Sequence, residues 1–163
     1  MNLIDTNILS TFALVGRLDL LIKVFGKLSI AEEVFNEVKK ASSKGYAHAQ
    51  AILERCDGES IEILTPTVEE RNTMKTLPLS FGDGERGSIA IAKHRSLLFA
   101  SNEKRVLNYG KREGIGTISL NSILRYLWEE KVLTKEETKA LMLDMEAKDN
   151  LVITSKEEIL DES

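Results

Sequence analysis

The chain has 163 residues, 42% hydrophobic and 29% charged, with a net charge of −4: a globular composition, long enough for one domain with a real core. One cysteine, Cys56, and two histidines, His48 and His94, exclude an intrachain disulfide, a cysteine-based zinc site and a histidine-rich metal site. No apolar run approaches the roughly 20 residues that span a bilayer and no secretion signal is evident, so the expected setting is a reducing cytoplasm without membrane contact.

Leu3-Ile4 runs into Asp5-Thr6-Asn7, and an apolar run starts at Ile8. That pattern predicts a short buried strand ending in a carboxylate, with a helix behind it. At the carboxyl end of a strand Asp5 is placed to meet a ligand; it is equally well placed as an N-cap. Ile8–Val15 and Leu18–Phe25 read as helical pieces around Gly16, and Leu28–Ile30 as a short strand or a helix lead-in. Ala31, Val34, Phe35 and Val38 then repeat at helical spacing, with Glu37 at the border of the stripe.

A helix is expected from about Tyr46 to Arg55, a strand over Ser60–Leu64, and a helix opening at Pro66 and Thr67 and running to about Met74. Gly82-Asp83-Gly84 reads as a loop, with Asp83 as the N-cap of a helix over Glu85–His94. Leu97–Ala100 is expected as a buried strand, Ser101 as the cap of a helix over Glu103–Glu113, Thr117-Ile118 as a minimal strand and Leu120–Glu130 as a helix. Thr134 caps a last clear helix to about Ala147, and the tail from Asp149 is expected to pack lightly or fray. Short strands alternating with helices imply a parallel sheet with crossover helices.

The acids stand out against this frame. Glu85 shares a face with Ile89 and Ala92, and Glu103 falls in the stripe of Val106, Leu107 and Gly110. Carboxylates on apolar stripes are costly unless paired or bound to metal. Together with Asp5 and Glu37 they suggest convergence on one cation. Only oxygen ligands are on offer, which suits magnesium or manganese.

The order LIDTN, SIAEEVFNEV, GDGERGSIAIA, LLFASNEKRV and GIGTISL resembles the PIN domain, a family of metal-dependent nucleases, over about Met1 to Leu133. The resemblance implies a three-layer α/β/α fold with a short central parallel sheet and crossover helices. It implies a nuclease domain over 1–133, with 134–163 as its C-terminal helical extension. The family's acids fall on Asp5, Glu37, Glu85 and Glu103, of which Asp5, Glu85 and Glu103 would hold Mg2+ or Mn2+. Thr6, Asn7, Ser101 and Asn102 fall on supporting polar positions.

The implied activity is endoribonuclease cleavage of single-stranded or loop RNA, leaving a 5′-phosphate and a 3′-hydroxyl. Lys39, Lys40, Arg86, Lys104 and Arg105 follow the acids and are the expected phosphate contacts, while Lys111 and Arg112 read as solvated. One subclass of the family consists of toxins held by a small antitoxin protein, and many relatives form homodimers; Leu141, Met142 and Met145 could serve a dimer or this domain's own core. One departure stands out. The family usually carries aspartate where this chain has Glu103, and the longer side chain leaves a catalytically impaired RNA-binding or protein-interaction module as the alternative.

Overall fold

The computed structural model describes residues 2–162. Five strands, β1 (Asn2–Ile4), β2 (Leu28–Ala31), β3 (Ile61–Leu64), β4 (Leu98–Ala100) and β5 (Thr117–Ile118), form one sheet in the order β3-β2-β1-β4-β5. Every pairing is parallel. Leu3, Ile4, Leu28, Ile30 and Phe99 are fully or almost fully buried, as the near-continuous apolar strands of a sheet covered on both faces should be. Met1 lies outside the described residues.

Helices supply the crossovers: α1 (Thr6–Leu14) and α2 (Leu18–Phe25) join β1 to β2, and α3 (Glu32–Ser43) and α4 (Ala47–Asp57) join β2 to β3. The chain then returns through α5 (Val68–Thr76) and α6 (Asp83–Arg95) to β4, and through α7 (Lys104–Arg112) to β5. Strand order therefore reverses between β1 and β4. In open parallel sheets ligands bind outside the carboxyl ends of the strands at such a switch point. The architecture is the α/β fold expected from the alternation of short strands and helices.

The remaining helices are α8 (Leu120–Glu129), α9 (Lys135–Asp149) and the short α10 (Lys156–Ile159). A capping box of Thr134 and Glu137 opens α9, as Thr134 predicts. Leu141, Met142 and Met145 are buried, and α9 packs on α1 and α8, so these three residues fill this domain's own core. Thr11 on α1 donates to Asp149 Oδ2 at 2.5 Å, a tie between residues 138 apart in the chain.

The tail differs from expectation. Ile153 and Ile159 are buried, and the segment is strapped to α8 through its own carbonyls. Arg125 donates to the Glu158 and Asp161 carbonyls at 2.7 and 2.9 Å, and Trp128 Nε1 to the Ile159 carbonyl at 2.7 Å. Two caps differ as well. Gly82 is the N-cap of α6 and Asp83 its first residue, where Asp83 pairs with Arg86 at 2.6 Å. Thr67 caps α5 in a box with Glu70. Glu70, only 2% exposed, also receives a two-pronged bond from Arg95, at 2.7 and 3.0 Å.

Candidate active site

The Asp5 backbone N–H donates to the Ala100 carbonyl at 2.9 Å, and that of Ser101 to the Ile118 carbonyl at 3.0 Å. The ladder thus continues one residue beyond β1 and β4 and sets Asp5 and Ser101 side by side at the switch point. Ser101 is fully buried and donates its hydroxyl to Asp5 Oδ2 at 2.8 Å. Asp5 is 3% exposed and also accepts from the Thr6 N–H at 2.8 Å and from Asn7 Nδ2 at 3.3 Å. It is therefore both things the sequence allowed: the N-cap of α1 and a strand-end carboxylate in the crevice.

Each supporting residue has a defined job. Thr6 donates its hydroxyl to Glu37 Oε2 at 2.6 Å, tying α1 to α3. Asn7 Oδ1 accepts the Asn102 N–H at 3.1 Å, and Ser101 Oγ accepts the Glu103 N–H at 3.1 Å. These bonds fix the turn after β4 against the turn after β1. Ser101 does this as a bridge; the N-cap of α7 is Glu103, whose side chain makes no capping bond.

Glu37 lies on an exposed stretch of α3, yet its other oxygen, Oε1, accepts the Gly84 N–H at 3.0 Å. A Cβ at Gly84 would stand 2.7 Å from that oxygen. Three residues on, Gly87 makes the same kind of room for Glu33. Two glycines on one face of α6 thus admit two glutamates one turn apart on α3. Gly84 thus belongs to α6 rather than to the loop expected over Gly82-Asp83-Gly84, and the G-x-x-G spacing opposite E-x-x-x-E is the visible signal for the fit.

Glu85, in the first turn of α6, is half-buried and its Oε2 has no hydrogen-bond partner. The electrostatics link all four acids. Burial pushes the Asp5 carboxyl up to about 6, the Ser101 and Thr6 donors pull it back, and the charges of Glu85 and Glu37 add to the rise. Glu85 is pushed up by burial first and by the charge of Glu103 second, against a downward pull from Arg105. The field of such a set favours cations and disfavours bare phosphate. Among the described residues no three His, Cys, Asp or Glu side chains are closed into a metal-holding group. The acids are gathered, not locked. An all-oxygen donor set with one buried carboxylate oxygen left unpartnered fits a hard divalent cation.

The expected phosphate contacts are dispersed. Lys39, over the Phe35 ring at 4.8 Å, and Lys40 are exposed on α3, and Lys104 is exposed at the start of α7. Arg86 is engaged with Asp83. Arg105 lies over the Phe81 ring at 5.7 Å, within the electrostatic reach of Glu85.

A strand-end aspartate, a hydroxyl–amide pair behind it, Glu37 on α3, Glu85 on α6 and the α7 N-cap Glu103 are gathered at the carboxyl end of a parallel α/β sheet. The family model described as PIN domain matches residues 1–160, and the chain belongs to that family, whose members are typically metal-dependent nucleases. No curated protein matches the chain. No helix among the described residues is long and apolar enough to cross a membrane.

Proposed function

We propose that the protein is a divalent-metal-dependent endoribonuclease acting at Asp5, Glu37, Glu85 and Glu103. The observation that carries this reading is the unpartnered Glu85 Oε2, on a carboxyl pushed up by burial and by the charges of Glu103 and Glu37 and whose own charge raises Asp5. Asp5, Glu85 and Glu103 would hold the magnesium or manganese ion. Bound there, the metal lowers the pKa of water and offsets charge on the phosphodiester.

The chain's own residues prepare that chemistry. Ser101, Thr6 and Asn7 aim the Asp5 carboxylate by three donated bonds, so its orientation is set before substrate arrives. Glu37 is fixed by Thr6 and Gly84 and stands open to solvent, which suits it to accept a proton from the attacking water. The substrate is RNA in single-stranded or loop regions, and a cytoplasmic role as the toxin of a toxin–antitoxin pair, met by a small antitoxin or by a second copy, fits the family.

The test is cleavage of a panel of single-stranded and hairpin RNAs with magnesium or manganese, run beside Asp5→Asn and a chelator control. Cutting that needs metal and disappears in Asp5→Asn supports the reading. Cutting that survives Asp5→Asn overturns the site. Absence of cutting together with absence of metal binding by calorimetry favours the impaired RNA-binding or protein-interaction module, with Glu103 as the altered position.

A further inference from the structure

Between the segment 78–81 and α7 lies an open groove of about 670 Å³ lined by Pro78, Ser80, Phe81, Arg105, Asn108, Lys111 and Arg112. What sets it apart is how its arginines are held. Of the eight arginines in the chain, Arg17, Arg71, Arg86, Arg95 and Arg125 each hold a carboxylate. Arg105 and Arg112 lie over aromatic rings instead, Phe81 and Tyr109 respectively, each at 5.7 Å. Those two rings are themselves packed edge to face, 5.5 Å between centroids.

The result is a continuous run of guanidinium, ring, ring and guanidinium. Stacking on a ring orients a guanidinium while leaving most of its donors open, and a phosphate can take those donors two at a time. Arg105 spends one donor on the Ser80 carbonyl, at 3.3 Å. Lys111 is exposed beside Arg112. Positions 105, 108 and 112 lie on one helix face, and 105 to 112 covers roughly 10 Å at 1.5 Å per residue, a span for about two successive phosphates rather than one anion. At its Arg105 end the groove meets the field of Glu85.

We propose that this groove is the path of single-stranded RNA leaving the carboxylates, with Arg105, Lys111 and Arg112 as its phosphate contacts. It rests on the nuclease reading for its direction, and it reassigns Lys111 and Arg112 from solvated surface to substrate binding. A groove of about 670 Å³ has room for a short run of nucleotides, and comparing single-stranded with duplex RNA tests the strand preference.

Binding is read apart from cleavage. A labelled single-stranded RNA of about a dozen nucleotides, enough to cross a site of this kind, is titrated by fluorescence anisotropy against the Asp5→Asn protein across a salt series. Adding Lys111→Glu with Arg112→Glu is expected to weaken binding at least about tenfold and to flatten the salt dependence by about 1.4 in log–log slope for two lost contacts. Lys111→Arg alone keeps the charge, leaves the Arg112 guanidinium over its ring, and is expected to hold affinity within about threefold. Reversal of Lys39 and Lys40 on α3 is expected to cost less than reversal in the groove.

If the double reversal disturbs folding, seen by circular dichroism, Lys111→Gln with Arg112→Gln is read in its place. The proposal is overturned by unchanged binding in the groove variant, by no binding of RNA to the parent, or by an equal loss from the α3 reversal. Equally tight binding of duplex RNA or of polyglutamate overturns it too, the latter marking a surface for acidic protein. Groove-dependent binding by a protein that cuts nothing would strike the nuclease reading and leave the groove standing.

Discussion

Asp5 and Glu70 are the two buried acids among the described residues, 3% and 2% exposed, and they are built in opposite ways. Glu70 has a cation: Arg95 reaches it with two bonds, and the Arg95 side-chain bond, then the Thr67 N–H, hold its pKa down. Asp5 has neutral donors only, two acids in its field, and a pKa raised to about 6. A paired buried carboxylate is costly to break, while an unpaired one is a liability unless something positive arrives. The first is a structural part, and under the proposed function the second is a socket. Interchanging their effects by mutation would break this distinction.

The largest effect is expected on activity. Glu85→Gln should lower metal-dependent RNA cleavage by about a thousandfold, the scale of losing a positioned carboxylate, while leaving the chelated protein no less stable. Glu70→Ala should do the reverse. It removes the partner of Arg95 and the return bond of the α5 cap, and should cost about 3 kcal/mol in urea unfolding with cleavage per folded molecule unchanged.

A third expectation concerns pH, where the two acids have opposite signs. The folded pKa of Asp5, about 6, is above its ordinary 3.8, so its contribution is fully present below 3.8 and is lost as pH rises through 6. The folded pKa of Glu70 is lowered from 4.5, so its contribution is present above 4.5 and is lost as pH falls. Asp5→Asn should therefore stabilise the metal-free protein at pH 8. The shift corresponds to about 3 kcal/mol, and loss of the Asn7 bond removes about 1 kcal/mol of it. The gain should vanish near pH 4, and thermal melts at the two pH values in chelator would show it.

The smallest expected effect is also the most discriminating. Gly84→Ala should change stability by less than about 1 kcal/mol, because a helical Ala is favoured over Gly while Glu37 must give way. Cleavage should still fall about tenfold, since small displacements of a catalytic group are expensive. Equal activity in melts-matched samples would remove Glu37 from the mechanism.

Much of this was legible in one dimension. Asp5, Glu85 and Glu103 stand out as candidates because each ends or interrupts an apolar pattern, and such patterns are what sequence periodicity reports. The parallel sheet followed from the alternation of elements. Glu70 did not, because it sits in the polar helix VEERNTMKT and its partner Arg95 is 25 residues away. Nor did the strapped tail, since Arg125 and Trp128 grip backbone carbonyls, which carry no residue-specific signal. The groove was hidden for a related reason: a lysine–arginine pair looks solvated until the rings beneath it are known.

The bond from Thr11 to Asp149 bears on how the molecule comes into being. α1 carries Thr6 and Asn7 behind Asp5, and its outer face is closed by a helix that arrives 138 residues later. Contacts of such separation form only after the entropy of closing the intervening chain has been met, and they slow folding. In a refolding time course, helical signal should return first. The crevice, and whatever it binds, should return with the slowest phase.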